Sequence, residues 1–355
     1  MKNMLWWRWW LVVAIIITLS LLLLIGALWV GMRRADSTLA VLEVDPFAAQ
    51  LHLLDIDRPA MTQSAFRTIL PCDVRWTHEG GLLAALLLPH ISTTEHQIYR
   101  LDVFAGGLEA PPVPLTGQGD HRAPAVTPDG ERFAYVSTDD KQSTIFLQSL
   151  NSASPQQIAE LPFQVDRLDW SVEGAYLVME LVGGGASLLE VAGARVWPLR
   201  PEADSFAWAA HRSLLAYVAE EALYVYNPLT GEERLLVRTG VKGDVTWSPS
   251  GARLAYVQRG EVDQIMLVKI EGEGEALPQM FETPTFRDIE ALRWSPDGRR
   301  LTFAARMQTV DAQDRFLPFD LYAAGVFTGE TWLVQRGMGQ RIGVESRFCP
   351  PAWKP

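Results

Sequence analysis

Beyond position 37, apolar residues come in short runs separated by clusters of turn-forming residues, and one arrangement keeps returning. An apolar run ends in Trp, a Ser-Pro-x-Gly turn follows, and a second apolar run leaves the turn. Trp294-Ser295-Pro296-Asp297-Gly298 leads into Arg299-Arg300-Leu301-Thr302-Phe303, and Trp247-Ser248-Pro249-Ser250-Gly251 into Ala252-Arg253-Leu254-Ala255-Tyr256. Val126-Thr127-Pro128-Asp129-Gly130 leads into Glu131-Arg132-Phe133-Ala134-Tyr135. Weaker copies begin at Trp76, Trp170 and Trp208, and a truncated one ends at Trp353. Pro fixes φ at such a turn, Asp bonds its local backbone and Gly accepts positive φ. The pattern therefore predicts a strand, a tight turn and a second strand with alternating faces, as in Arg253-Leu254-Ala255-Tyr256-Val257.

Two more strands follow each turn. The third is predicted at Ile98–Val103, Thr144–Leu150, Ser187–Val191, Leu223–Asn227, Ile265–Ile270 and Asp320–Ala323. The fourth is shorter, at Pro111–Leu115, Val196–Leu199, Glu233–Val237, Ala276–Met280 and Thr331–Val334. The repeat positions 76, 126, 170, 208, 247, 294 and 353 lie 50, 44, 38, 39, 47 and 59 residues apart. Units of roughly 40–50 residues carrying four antiparallel strands are propeller blades. The chain is thus expected to be all-β, a seven-bladed β-propeller of four-stranded antiparallel blades, with six blades as the alternative. The segment after position 37 (Thr38–Leu42, Leu51–Ile56, Phe66–Leu70) and the C-terminal strand ending at Trp353 would together close one blade.

Ahead of the repeats, Leu11 to Val30 is apolar apart from Thr18 and Ser20. Twenty helical residues at about 1.5 Å each match a bilayer core of about 30 Å. Trp6, Trp7, Trp9 and Trp10 stand at one end and Trp29 at the other, as an aromatic belt would. No small-x-small cleavage site follows, so an uncleaved anchor is expected rather than a signal peptide. The implied division is a short cytoplasmic or interfacial segment (1–10), a transmembrane helix (11–31), a linker (32–37) and the propeller (38–355). The expected location is the cell membrane, single-pass, with the N-terminus inside and the propeller extracytoplasmic.

Hydrophobic content of 48% against 21% charged residues suits a large folded core. The first 34 residues hold four basic side chains (Lys2, Arg8, Arg33, Arg34) and no acidic one. Of the 31 basic residues, 27 therefore remain against 42 acidic ones, a formal charge of −15. That field repels phosphate backbones and excludes nucleic acid as a partner.

The Trp-Ser-Pro-Asp-Gly motif and the Leu-Ala-Tyr type of strand behind it resemble the WD-repeat-like propellers of the TolB type. Similar blades occur in the propellers of prolyl oligopeptidases. The resemblance spans about Thr38 to Trp353 and implies fold, not function, since unrelated activities share it. Trp208-Ala209-Ala210-His211-Arg212 has lost both Pro and Gly, and the anchor replaces the cleaved signal and additional N-terminal domain of TolB, so TolB's partners do not carry over.

No Gly-x-Ser-x-Gly elbow is present, and His52, His78, His90, His96, His121 and His211 are scattered over different repeats. His90 and His96 flank a predicted loop and read as a solvated pair. Neither catalysis nor a cofactor is expected, although calcium in an acidic channel is permitted. The repeated Trp residues read as packing between blades rather than a sugar-stacking row. One and three positions before them stand Asp73, Arg75, Arg167, Asp169, Asp244 and Arg293, candidates for lining a central channel. Cys72 and Cys349 each precede a strand-ending Trp by four residues and form a candidate disulfide at the closure point. Long loops are predicted at Pro89–Gln97, Phe281–Asp288, Met307–Pro318 and Arg336–Ser346. Within the third, Asp311, Asp314, Arg315 and Phe316 make a candidate interaction surface. The functional expectation is a non-catalytic scaffold for a protein or peptide partner. The alternative is a small-ligand or glycan-binding propeller with lyase or hydrolase activity in its channel.

Overall fold

The computed structural model describes residues 38–45, 48–56, 58–68, 74–77, 81–86, 95–101, 103–104, 107–108, 112–139, 141–152, 154–201, 203–270, 278–307, 319–338 and 352–353. The chain divides into two compact units at Ser37–Thr38, and every described residue belongs to the second. No helix long and apolar enough to cross a membrane occurs among the described residues. The predicted span at 11–31 lies outside them, as do Asp73, Cys72, Cys349, Asp311, Asp314, Arg315 and Phe316.

The strands follow one another in sheets. β1 (Thr38–Asp45), β2 (Ala48–Asp55) and β3 (Arg58–Thr68) belong to the first. β4 (Val74–Trp76), β5 (Leu82–Leu86), β6 (Gln97–Leu101) and, after a small ribbon of β7 (Val103–Phe104) and β8 (Gly107–Leu108), β9 (Val113–Pro114) make the second. The third holds β10 (His121–Val126), β11 (Arg132–Thr138), β12 (Ser143–Ser149) and β13 (Gln156–Leu161). β14 (Val165–Trp170), β15 (Tyr176–Leu181), β16 (Ala186–Glu190) and β17 (Arg195–Pro198) form the fourth. The fifth holds β18 (Ser205–Trp208), β19 (Leu215–Ala219), β20 (Ala222–Asn227) and β21 (Glu232–Val237). The last is seven-stranded: β22 (Val241–Trp247), β23 (Arg253–Gln258), β24 (Asp263–Lys269), β25 (Gln279–Trp294), β26 (Arg300–Met307), β27 (Phe319–Gly325) and β28 (Thr331–Met338). Finally β29 (Ala352–Trp353) returns to the first sheet, pairing Trp353 with Leu39 of β1 in the order β29-β1-β2-β3.

Among the described residues the sheets of four or more strands number six, against the seven blades expected. The cause is β25. Phe281–Asp288, read from sequence as a loop, is extended and belongs to this 16-residue strand. Its first half pairs with β24 and its second with β26, so two units join in one hydrogen-bonded sheet. Phe281 and Phe286 are both buried, while Glu282, Pro284 and Thr285 between them are exposed where the register to β24 shifts. Burial of two aromatics at either side of the irregularity outweighs the poor strand propensity of Pro, which is tolerated at such shifts.

The motif strands also differ from simple alternation. Leu254, Ala255, Tyr256 and Val257 are all fully buried, as are Phe133, Ala134 and Val136. A sheet covered by neighbours on both faces buries successive residues, not every second one. The Trp residues perform this covering. Trp76, Trp170, Trp247 and Trp294 are buried, and three indoles bridge to the preceding sheet. Trp170 Nε1 donates to the carbonyl of Ala125 at 3.0 Å, Trp208 to Asp169 at 3.3 Å and Trp247 to Ala207 at 2.9 Å. Each acceptor immediately precedes the equivalent position of the previous repeat.

The turns are locked in the same repeated way. Ser295 Oγ donates to Asp297 Oδ1 at 2.6 Å and accepts from the Arg300 amide at 2.9 Å. Gly298 N donates to the Ser295 carbonyl with φ of 67°, the left-handed region that favours glycine. Its bare Cα face lies against the Pro249 ring of the preceding turn. Where the fifth sheet has lost Pro and Gly, Arg212 donates to the Gly251 carbonyl at 2.9 Å and takes over the link to the next turn.

Candidate functional site

The first strands of the sheets lie side by side, β29 by β4, β4 by β10, β10 by β14, β14 by β18 and β18 by β22, and β22 lies beside β25 of its own sheet. These strands surround the centre of a propeller. Five of the six channel candidates are described, and the structure draws them into one electrostatic neighbourhood. Arg293 on β25 feels Asp244 on β22, Arg167 and Asp169 on β14, and Arg75 on β4. Burial is the largest influence on the Arg293 guanidinium and pushes its pKa down; the two carboxylates oppose this and the other arginines add to it. Its side chain keeps 27% exposure, so water reaches a group that protein encloses.

The charges largely answer one another. Arg293 Nη1 stands 3.7 Å from Asp244 Oδ1 and donates to its neighbour's carbonyl, Leu292 O, at 2.8 Å. Arg167 Nε is 3.3 Å from Glu180 Oε2, and its guanidinium lies 4.1 Å over the Phe206 ring of the next sheet. Asp244 Oδ2 accepts the Ala291 amide at 2.6 Å, tying β22 to β25. Asp244 and Ala291 both have positive φ, 58° and 56°, and Ala123 at the matching place in β10 has 52°. The position three before the repeat Trp is thus a bulge, and a short carboxylate suits it because Asp adopts this region more readily than most residues.

A second cluster, where β22, β24, β25 and β26 meet, carried no signal in the sequence. Lys242 Nζ pairs with Asp263 Oδ2 at 2.9 Å, and the same oxygen accepts the Ile289 amide at 3.0 Å. Arg306 Nη1 pairs with Asp288 Oδ2 at 3.0 Å, with the guanidinium 4.1 Å over the Phe319 ring. Glu290 sits among them. Burial, helped by Asp244 and Asp288, pushes its carboxyl from 4.5 up to about 7, against the pull of Lys242 and Arg306. Its folded pKa lies above the unfolded one, so its stabilising contribution is complete below pH 4.5 and is lost as pH climbs through about 7. Glu290→Gln is expected to flatten the stability–pH curve across that window, read as denaturant midpoints over a pH series; an unchanged slope would contradict it.

His96 is not the solvated residue its sequence context implied. Its Nδ1 lies 2.6 Å from Asp120 Oδ1 and its amide donates to the same oxygen at 2.9 Å. Arg122 Nη2 holds Asp120 Oδ2 at 2.8 Å. Burial would raise the Asp120 carboxyl, but the His96 amide, Arg122 and the His96 ring together keep it below its usual range. The strand now known to begin at Gln97 places His96 against the loop before β10, a pairing across 24 residues that no local pattern announces. His90 lies outside the described residues. Among the described residues no group of three or more His, Cys, Asp or Glu is arranged to hold a metal ion.

No protein-family model matches the chain, and no curated protein matches it. Solved structures do. The β-propeller domain of Cps50 (Swd1) from Myceliophteria thermophila is 11% identical with a TM-score of 0.55, covering 77% of this chain and 89% of that one. A prolyl endopeptidase structure is 14% identical with a TM-score of 0.59, covering 84% of this chain and 48% of that one, so the chain spans about half its length. TolB from Acinetobacter baumannii is 16% identical with a TM-score of 0.48, covering 88% and 81%. Such low identities speak to fold alone, and the structures matched include both an enzyme and a propeller domain. Sheet order, the repeated Trp-Ser-Pro-x-Gly turn and the Cps50 match make the described domain a β-propeller of four-stranded antiparallel blades.

Proposed function

We propose that the chain is a single-pass cell-membrane protein whose extracytoplasmic propeller is a scaffold for a protein or peptide partner. The seven-stranded sheet is counted here as two four-stranded units sharing β25, which makes seven blades. The observation that carries the reading is the mutual engagement of the inner-strand charges: Arg293 with Asp244 across two units, and Arg167 with Glu180 and the Phe206 ring. Side chains held in this way brace the blades, and the variable surface for recognition is then the loops.

The test is affinity capture of the full-length chain from native membranes after mild cross-linking, beside a version with Met307–Pro318 shortened. A partner captured by the first and lost from the second is the expected result. Capture unaffected by the shortening, or no partner with either form, would count against the scaffold.

The second reading is a channel that binds a small ligand or glycan, with lyase or hydrolase activity. It is favoured by the convergence of Arg75, Arg167, Asp169, Asp244 and Arg293 on one neighbourhood. Turnover within a glycan panel that disappears in both Asp169→Asn and Arg293→Gln would replace the scaffold by this reading.

A further inference from the structure

Two hairpins of the propeller carry the same turn with an exposed apolar residue at its tip. Between β20 and β21 the sequence is Asn227-Pro228-Leu229-Thr230-Gly231-Glu232, and between β27 and β28 it is Gly325-Val326-Phe327-Thr328-Gly329-Glu330. Gly231 N donates to Asn227 O at 2.8 Å and Gly329 N to Gly325 O at 2.9 Å, with φ of 73° and 71°. The residue two before each glycine points its apolar side chain into solvent: Leu229 is 67% exposed and Phe327 is 78% exposed, the two highest values among the exposed large hydrophobics.

These tips share one face of the propeller with the point where the chain enters it. In a sheet of four antiparallel strands, the turn from first to second strand and the turn from third to fourth emerge at the same end. β1 occupies the second place of its sheet, next to β29, and its first residues lie beside Trp353. Thr38 therefore opens on the face of the Trp-Ser-Pro-x-Gly turns, and Leu229 and Phe327, at third-to-fourth turns, lie on that face too. Val172, 36% exposed in the first turn of the fourth sheet, joins them. The hairpin that bears Phe327 is also close to the entry point, because β28 lies beside β1.

We infer that this face rests on the lipid bilayer, with Phe327 and Leu229 as shallow apolar contacts. The inference rests on the anchor reading of residues 11–31. Six linker residues, 32–37, reach at most about 20 Å, so an anchored chain holds this face close to the membrane surface. Aromatic and aliphatic side chains gain free energy at the headgroup–acyl boundary that they do not gain in water. Glu232 and Glu330, three residues beyond the tip residues and both exposed, limit the depth to the interface. The domain's acidic balance argues against attraction to anionic headgroups, so the contact is apolar and insensitive to salt.

The test places p-benzoylphenylalanine at position 229, 327 or 182 of the full-length chain reconstituted in phosphatidylcholine vesicles. Val182, 55% exposed, sits in a second-to-third turn on the opposite face and is the control. Illumination is expected to give several-fold more lipid adduct at 229 and 327 than at 182, at low and high salt alike. Equal adducts at all three positions, none at 229 and 327, or cross-links to a second copy of the chain in place of lipid would overturn the inference. Alkaline carbonate extraction separates the two ideas: a chain stripped from the vesicles means the anchor reading has failed, whereas a retained chain without adducts means that only the face-down contact has.

Discussion

Trp247→Ala is expected to lower the unfolding free energy by about 3–5 kcal/mol, the usual cost of emptying a large aromatic site in a packed core. The indole lies between two sheets, in a cluster with Val218, Leu223, Val225, Val241, Val245, Leu254 and Tyr256. Its removal opens a cavity at the seam and breaks the bond that Trp247 Nε1 donates to the Ala207 carbonyl at 2.9 Å. A pair of gentler variants separates the two contributions. Trp247→Phe keeps most of the volume but loses the donor, whereas Trp294 Nε1 is buried with no hydrogen-bond partner. Trp294→Phe should therefore be milder than Trp247→Phe, by about 0.5–1.5 kcal/mol for the lost bond. Urea unfolding of the three variants measures this directly, and equal costs for the two Phe variants would show that the inter-sheet bond contributes nothing.

Asp263→Ala is the second large effect, also about 3–5 kcal/mol, because it leaves a buried charge without its partner. The carboxylate is 7% exposed and serves two groups, the Lys242 ammonium at 2.9 Å and the Ile289 amide at 3.0 Å. Removing it strands both. Lys242→Met in the same background takes away the unpaired cation, so the double variant should recover part of the loss. A double-mutant cycle on denaturant midpoints reads the coupling, and strictly additive costs would refute a direct pair.

The legible part of this molecule was local. Strands flanking the Trp-Ser-Pro-x-Gly turn showed themselves because turn chemistry and apolar runs act over a few residues. The third strands began within two residues of their predicted starts, as with β16 at Ala186 against Ser187 and β24 at Asp263 against Ile265. Counting back from each Trp picked out residues that influence one another electrostatically, Arg293 with Asp244, Arg167, Arg75 and Asp169, since equivalent repeat positions occupy equivalent places. What stayed hidden depends on partners from different repeats. Glu290, Lys242, Asp263 and Arg306 look like ordinary surface charges in the chain, and only the meeting of β22, β24, β25 and β26 encloses them. His96 and Asp120 meet across a connection of similar length. The continuity of β25 was hidden for another reason: Glu282-Thr283-Pro284-Thr285 has the composition of a turn, and the two phenylalanines that override it are recognised only once both are seen buried.

That continuous strand also governs how the ring comes apart. Elsewhere neighbouring units meet through side chains and isolated bonds such as Val241 N to Glu221 O rather than a ladder, so each is expected to loosen while the next stays intact. At β25 the backbone ladder itself crosses the boundary, and strands β22 to β28 are expected to exchange as one protected block. Fraying and proteolytic nicking then begin in the sheets on either side of it, starting at the junction of β28 with β1, where the ring depends on a two-residue strand for its closure.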